Sequence, residues 1–418
     1  MRETVAIGNR VASRATNVIG IVFFSRAGTI VPVPCLRAAT LSDGRGQTTR
    51  RITAGGGTML ETRAAGTTEA PGEPVRSWAP PSTDGPFRIL SLSGGGYLGL
   101  YSAHVLTRME EAAGGPVARH FDLVCGTSVG AITAMALSLE IPAAEIEAAI
   151  IRDGPNIFRS RSARWGIGLV SSFVHDLLRP RYSDGPLSES FGGLLGAETT
   201  LGQARCRLAI PAVNMTTGQI DIFKTPHNKD WSHHASLRMA DIGLAVTAAP
   251  TFFPIATLGG SLYVDGALFA NAPDLVGLHE AEYYLGLPKD RIRMLSIGTT
   301  TSNFSVPQRL GRNYGVMRWL RRARLFSTIL AAQQQLTRAF LTHHLGSAYL
   351  RLDSIRAPGH ELDLGFDSAS EAGTRTILSL ADFAFENAMK HTDLPGFLFD
   401  GASAALPAAG AEAPKAAG

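Results

Sequence analysis

Three short patterns in this chain carry groups that could do acyl chemistry. Gly126-Thr127-Ser128-Val129-Gly130 lies between the apolar run Phe121-Asp122-Leu123-Val124-Cys125 and the small-residue run Ala131 to Leu137. This reads as a strand, a sharp turn and a helix with a serine at the apex. A serine on such an elbow presents its hydroxyl at the C-terminal edge of a sheet, where it can attack an acyl carbon. Upstream, Phe87 to Ser93 alternates like a buried strand and enters Gly94-Gly95-Gly96-Tyr97-Leu98-Gly99. A helix follows, with Tyr101, Val105, Met109 and Ala112 on one face. Consecutive glycines at a helix start leave backbone N–H groups unobstructed at the positive end of the helix dipole, which suits the oxyanion of acyl transfer. Downstream, Leu262-Tyr263-Val264 runs into Asp265-Gly266-Ala267 and Asn271-Ala272-Pro273, placing a carboxylate at a strand end.

Each pattern has a plainer reading. In a chain with 45 glycines the serine pentad arises by chance, and most Asp-Gly pairs only cap a turn. The glycine run also satisfies G-x-G-x-x-G, the dinucleotide fingerprint, which calls for an acid at the end of the next strand to hold a ribose. Here that strand ends at Cys125-Gly126, and its one acid, Asp122, sits at its beginning. The serine elbow on that strand favours the hydrolase.

Taken together, the three patterns resemble the patatin-like phospholipase family, whose landmarks are a G-G-G-x-x-G loop, a G-x-S-x-G elbow and a D-G-[AG] motif in this order. Thr247-Ala248-Ala249-Pro250-Thr251-Phe252-Phe253-Pro254 and Leu295-Ser296-Ile297-Gly298-Thr299 agree with it, and the resemblance runs from about Phe87 to His391. It implies an α/β fold of three layers, a mostly parallel sheet flanked by helices. It also implies Ser128 as nucleophile and Asp265 as its partner in a Ser–Asp dyad. The oxyanion site would lie on the loop Gly94, Gly95, Gly96 and Gly99, with Gly126 and Gly130 shaping the elbow and Gly266 and Ala267 completing the aspartate motif. Many members carry arginine where this chain has Leu98. Gly94 to Tyr97, Phe223-Lys224-Thr225-Pro226-His227 and Ser296 to Thr300 look like the bacterial branch of cyclic-nucleotide-activated effectors of anti-phage defence (CBASS). That branch implies a cyclic di- or trinucleotide activator and membrane phospholipid as substrate. The alternatives are a constitutive lipase of the same fold and a catalytically silent lipid- or nucleotide-binding module.

A serine hydrolase normally uses histidine as base. His279, His343, His344, His360 and His391 all follow Asp265, and only His279 lies close behind it; a triad through His279 is the competing scheme. Neither scheme needs a metal or another cofactor, and His233-His234 and His343-His344 lack ligand spacing. Cys35, Cys125 and Cys206 form no metal pattern and no even set, and Cys125 reads as a small buried hydrophobe.

At 418 residues, with 45% hydrophobic and 18% charged content, the chain has an ordinary globular composition. No apolar run approaches the roughly 18 to 20 residues that span a bilayer; the nearest, Val18 to Phe24, stops at Arg26. Residues 1–58 hold eight arginines and two acids, a net +6 against +4 for the whole chain, so the remainder is −2. The expected organisation is a weakly ordered leader over 1–85, with Met59 as an alternative start, a catalytic domain over 86–400 and a disordered tail over 401–418. The expected place of work is the cytoplasm, at the inner face of the membrane. A homo-oligomer is compatible with the sequence, and a nucleic-acid polymer is not expected as partner.

Between Asp290 and Asp353 there is no acid and there are ten arginines. Within it Arg318-Trp319-Leu320-Arg321-Arg322-Ala323-Arg324-Leu325-Phe326 reads as a basic amphipathic helix with an aromatic anchor, suited to an anionic membrane or to nucleotide phosphates. The plainer reading is a solvated helix face or one packed on acidic neighbours such as Glu280 and Glu282. Arg159 to Trp165 and the apolar residues after it form an insert where hydrolases often place a lid.

Overall fold

The computed structural model describes residues 37–42, 48–54, 57–62, 78, 81–82, 85–159, 179–300, 315, 319, 324–356 and 364–399. The chain divides into two units, Met1–Glu73 and Pro74–Gly418. In the first, β1 (Arg37–Ser42), β2 (Thr48–Ala54) and β3 (Gly57–Thr62) form an antiparallel meander. No strand was expected there.

The second unit is built on an eight-stranded sheet in the order β11-β10-β4-β5-β6-β9-β8, with β7 also paired to β6. The strands are β4 (Phe87–Leu92), β5 (Leu123–Gly126), β6 (Arg207–Asn214), β7 (Gln219–Lys224), β8 (Ala256–Leu258), β9 (Ser261–Asp265), β10 (Ile292–Ile297) and β11 (Tyr349–Leu352). From β11 to β6 the pairing is parallel, so every C-terminal end opens on one edge. β6 pairs antiparallel with β9, with Ala212 opposite Asp265. β4 and β5 are buried on both faces, as expected of central parallel strands under helices.

Helices cover both faces. One larger core packs Leu90, Leu92, Val124, Leu208 and Ile210 under α1 (Gly99–Ala113), α2 (Val129–Ser138), α3 (Ala143–Ile157), α4 (Gly185–Leu195) and α5 (Met239–Thr247). A smaller one packs Ile89, Leu123, Cys125 and Ala209 with Leu278, Leu341 and Leu345. The latter three stand on α7 (Asp274–His279) and α8 (Arg324–Leu345). A short helix α6 (Ala267–Ala270) follows Asp265, and α9 (Glu371–His391) and α10 (Leu394–Leu398) close the larger layer. This three-layer, mostly parallel α/β architecture is the one the sequence implied.

Candidate active site

Ser128 sits between β5 and α2 with φ 54° and ψ −127°, a left-handed conformation costly for a residue with a side chain. The surrounding chain holds it there. A Cβ on Gly126 would lie 2.1 Å from the Gly130 carbonyl oxygen, and one on Gly130 would lie 2.4 Å from the Leu92 carbonyl oxygen. The two elbow glycines therefore supply close approach of backbones, while the strain resides on the serine itself. Thr127 ties the elbow to the aspartate loop by donating its hydroxyl to the Ala270 carbonyl at 2.6 Å.

Asp265 ends β9 fully buried. Its Oδ1 accepts the Ala267 amide at 2.8 Å, and Gly266 is small because a Cβ there would meet the Pro211 carbonyl oxygen at 2.3 Å. Oδ2 has no hydrogen-bond partner among the described residues. Burial raises the Asp265 pKa to about 7, against the pull of the Ala267 amide and of the nearby Ser128 hydroxyl. The Ser128 hydroxyl thus influences the carboxylate without yet making a well-formed bond, as is common before substrate binds. A carboxylate titrating near neutrality, with one oxygen unclaimed beside a serine, is matched to taking a proton at pH 7.

The glycine loop requires one correction to the sequence reading. The Gly94 amide donates to the Asn271 carbonyl at 2.9 Å, so it is committed and unavailable to an oxyanion. Its carbonyl accepts from Thr299 Oγ1 at 2.9 Å and Asn271 Nδ2 at 3.4 Å. Three residues on, the Tyr97 amide donates to the Phe366 carbonyl at 2.9 Å. With these groups tied down, the amides of Gly95 and Gly96 are left without an acceptor among the described residues. Cβ atoms there would strike Thr299 Oγ1 at 2.4 Å and the Phe366 carbonyl oxygen at 2.4 Å, and Gly96 has φ 56°. Gly99 is also outside the anion site. Its amide turns back to Gly96 and Tyr97, and its missing side chain makes room for Val129. Leu98 is buried in the larger core.

Ser128, Gly96, Tyr97 and Val129 are among the residues that line an apolar cavity. Ile132, Ile146, Ile150, Phe191, Leu194 and Phe253 line it as well. An apolar lining that includes Ser128 suits the acyl chain of an ester.

Residues 90–275 match the family described as patatin-like phospholipase. A cGAMP-activated phospholipase of Pseudomonas aeruginosa is 36% identical over 306 residues, covering 72% of this chain and 89% of that protein. Proteins of the same name from Vibrio cholerae and Escherichia coli are 31% and 32% identical, over 70% and 69% of this chain and 88% and 86% of theirs. The chain belongs to the patatin-like phospholipase family. It is a serine-type carboxylic ester hydrolase acting on lipid acyl groups.

In this patatin-like phospholipase no histidine among the described residues lines the cavity. His279 is exposed and stacks on Tyr283, His344 bonds Glu282 at 2.8 Å, and His343 and His391 are exposed; His360 lies outside the described residues. No group of residues suited to a metal occurs among those described. Cys125 is buried, and burial holds its thiol pKa well above the usual value.

The acid-free arginine stretch divides. Arg293 pairs with Asp393 and lies over the Phe397 ring. Arg291 donates to the Ser82 and Gly85 carbonyls. Arg351 pairs with Asp353 at 2.8 Å and donates to Ser93 and Ser296, bracing the strand end before the glycine loop. These arginines are occupied by partners inside the fold. Arg318, Arg321 and Arg322 lie outside the described residues, as does most of the insert after Arg159. Trp319 is half-buried, and Arg324 begins α8.

Sequence reasoning missed Val129, whose amide heads α2 directly after the serine with no acceptor among the described residues. That is where serine hydrolases with an elbow place one oxyanion donor. It also missed Phe366, which closes over the glycine loop; the G-x-S-x-G frame itself could have pointed to Val129, and nothing local marks Phe366.

Proposed function

We propose that this protein hydrolyses phospholipid acyl esters through a Ser128–Asp265 dyad, under the control of a cyclic nucleotide, as a peripheral enzyme at the inner face of the bacterial membrane. The observation that carries the mechanism is the unclaimed Oδ2 of Asp265, buried beside Ser128, which lines an apolar cavity. Ser128 Oγ attacks the ester carbonyl carbon while Asp265 takes its proton. The amides of Gly95, Gly96 and Val129 receive the oxyanion, each such donor being worth about 10²–10³-fold in rate. When the intermediate collapses, the lysolipid oxygen takes the proton from Asp265 and leaves an acyl-serine. Water then attacks this ester, with Asp265 again as base, and the fatty acid departs.

Control by a nucleotide rests on three relatives of 31–36% identity that are named cGAMP-activated phospholipases and are covered over 86–89% of their length. No helix among the described residues is long and apolar enough to cross a membrane, which fits peripheral attachment. The test is fatty-acid release from phosphatidylethanolamine–phosphatidylglycerol liposomes by purified protein, with and without cGAMP and other cyclic di- and trinucleotides, and with Ser128→Ala as control. Release that appears only with a nucleotide supports the full reading. Strong release unaffected by any of them leaves a constitutive lipase, and no release under any condition leaves a silent binding module.

A further inference from the structure

Helix α8 is apolar on two opposite sides. Ala331, Leu341 and Leu345 on its inner side are buried, with Thr337 beside them. At 100° per residue, Leu325, Ile329, Leu336 and Phe340 fall within about 60° of one another on the outer side. They are 45%, 36%, 70% and 48% exposed. A helix resting on a domain is expected to be polar outward, and a stripe of leucine, isoleucine and phenylalanine in water marks a surface that something covers.

Location and charge say what covers it. Phe326, one residue after Leu325, packs against Phe252 and Phe366, and Phe366 lines the cavity. In the middle of the helix, Gln333 donates to the Leu268 carbonyl and accepts the Asn271 amide, gripping the loop that carries Asp265. The helix is therefore fixed to the rim of the active site while its outer stripe faces away. Its only formally charged residues are Arg324 and Arg338, and no acid occurs from Arg291 to Leu352. A second copy of the chain would bring the same helix, with two more arginines and no carboxylate on it to pair them. An anionic bilayer would be attracted and would also take the apolar stripe into its headgroup–acyl boundary.

We propose that the outer stripe of α8 is the face by which this enzyme seats on an anionic lipid surface, so that the cavity rim meets the substrate. This deepens the phospholipase reading and rests on it. The test is sedimentation with phosphatidylglycerol–phosphatidylcholine vesicles, with and without cGAMP, of the full chain and of an Ile329→Asp/Leu336→Asp variant. Hydrolysis of those vesicles and of a water-soluble monomeric butyrate ester is measured alongside. The variant should bind vesicles at least about tenfold more weakly, lose vesicle hydrolysis in proportion, and cleave the soluble ester as the parent does. Unchanged vesicle binding overturns the proposal. So does light scattering that shows a dimer dissociating in the variant while vesicle binding persists, since the stripe would then join two copies. If the parent cleaves neither substrate, the phospholipase reading falls while sedimentation still decides the docking. Should the double variant not fold, Leu336→Trp serves instead: its emission should shift to the blue on anionic vesicles, and an unshifted spectrum counts against the proposal.

Discussion

Two buried carboxylates of the larger unit have opposite surroundings. Glu280, in the wide helical turn after α7, accepts from Lys224 Nζ at 2.5 Å and bonds His227 Nε2 at 3.1 Å, all three side chains being 5% exposed or less. Lys224 in turn lies 3.8 Å from the ring centres of Trp231 and Tyr284. The Leu208 amide donates to Thr225 Oγ1, so the Thr225 hydroxyl is free to donate to His227 Nδ1, and His227 Nε2–H faces Glu280. Every polar group in that cluster is answered. Asp265 has one backbone amide and an open oxygen. The difference teaches how to tell a structural carboxylate from a chemical one. Counter-charges make the first inert, whereas burial without them holds the second near neutral pKa, where the proposed dyad needs its base.

The sharpest way to break this comparison is to remove the reacting groups. Ser128→Ala and Asp265→Asn should each lower lipid hydrolysis by about 10³–10⁴-fold, equivalent to roughly 4–5.5 kcal/mol of barrier, with circular dichroism unchanged. Retention of a tenth of the activity by Asp265→Asn would remove it from the chemistry. Next comes Glu280→Gln, which leaves the Lys224 ammonium buried without its counter-ion. It should cost about 3–5 kcal/mol of stability, read as a lower urea midpoint, while activity per folded molecule is kept.

Asp265→Asn should have the opposite effect on stability. An aspartate whose pKa is near 3.9 unfolded and about 7 folded binds its proton more tightly in the native state. Wild-type stability therefore falls as pH rises from about 4 to 7 and is flat above. The variant escapes this loss, so its advantage should be greatest at pH 8, on the order of a few kcal/mol, and should vanish near pH 4. Equal urea midpoints at pH 8 would mean that the carboxylate is not held raised. Hydrolysis by the parent should climb with pH through about 7, because the base must be ionised. The smallest expected effect is that of His279→Ala, which should leave kcat within about twofold; a loss matching Ser128→Ala would restore the triad.

The turns that carry Ser128, Asp265 and the glycines were legible because each is a run of a few residues whose spacing already encodes its turn. What escaped the sequence was long-range. That Gly94 spends its amide on Asn271, 177 positions away, or that Phe366 sits over Gly96, depends on how β4, β9 and the segment after β11 converge, and no local window contains it. Arg293 looks unpaired within an acid-free stretch, yet Asp393, 100 positions away, meets it in the fold. Phe223 to His227 gives no local hint that its Lys224 and His227 meet Glu280 in the fold. The outer stripe of α8 is periodic in the sequence, but only burial of its opposite side shows which stripe faces out.

The Thr127 hydroxyl on Ala270 and the Gly94 amide on Asn271 join the serine, glycine and aspartate loops into one interlocked unit. Such a unit is costly to take apart and reassemble at every regulatory cycle. If a nucleotide switches this enzyme as proposed, the cheapest lever therefore lies elsewhere, in whether lipid is admitted. Activation should accordingly show as faster capture of substrate from a surface, with the turnover of a molecule already in the cavity nearly constant.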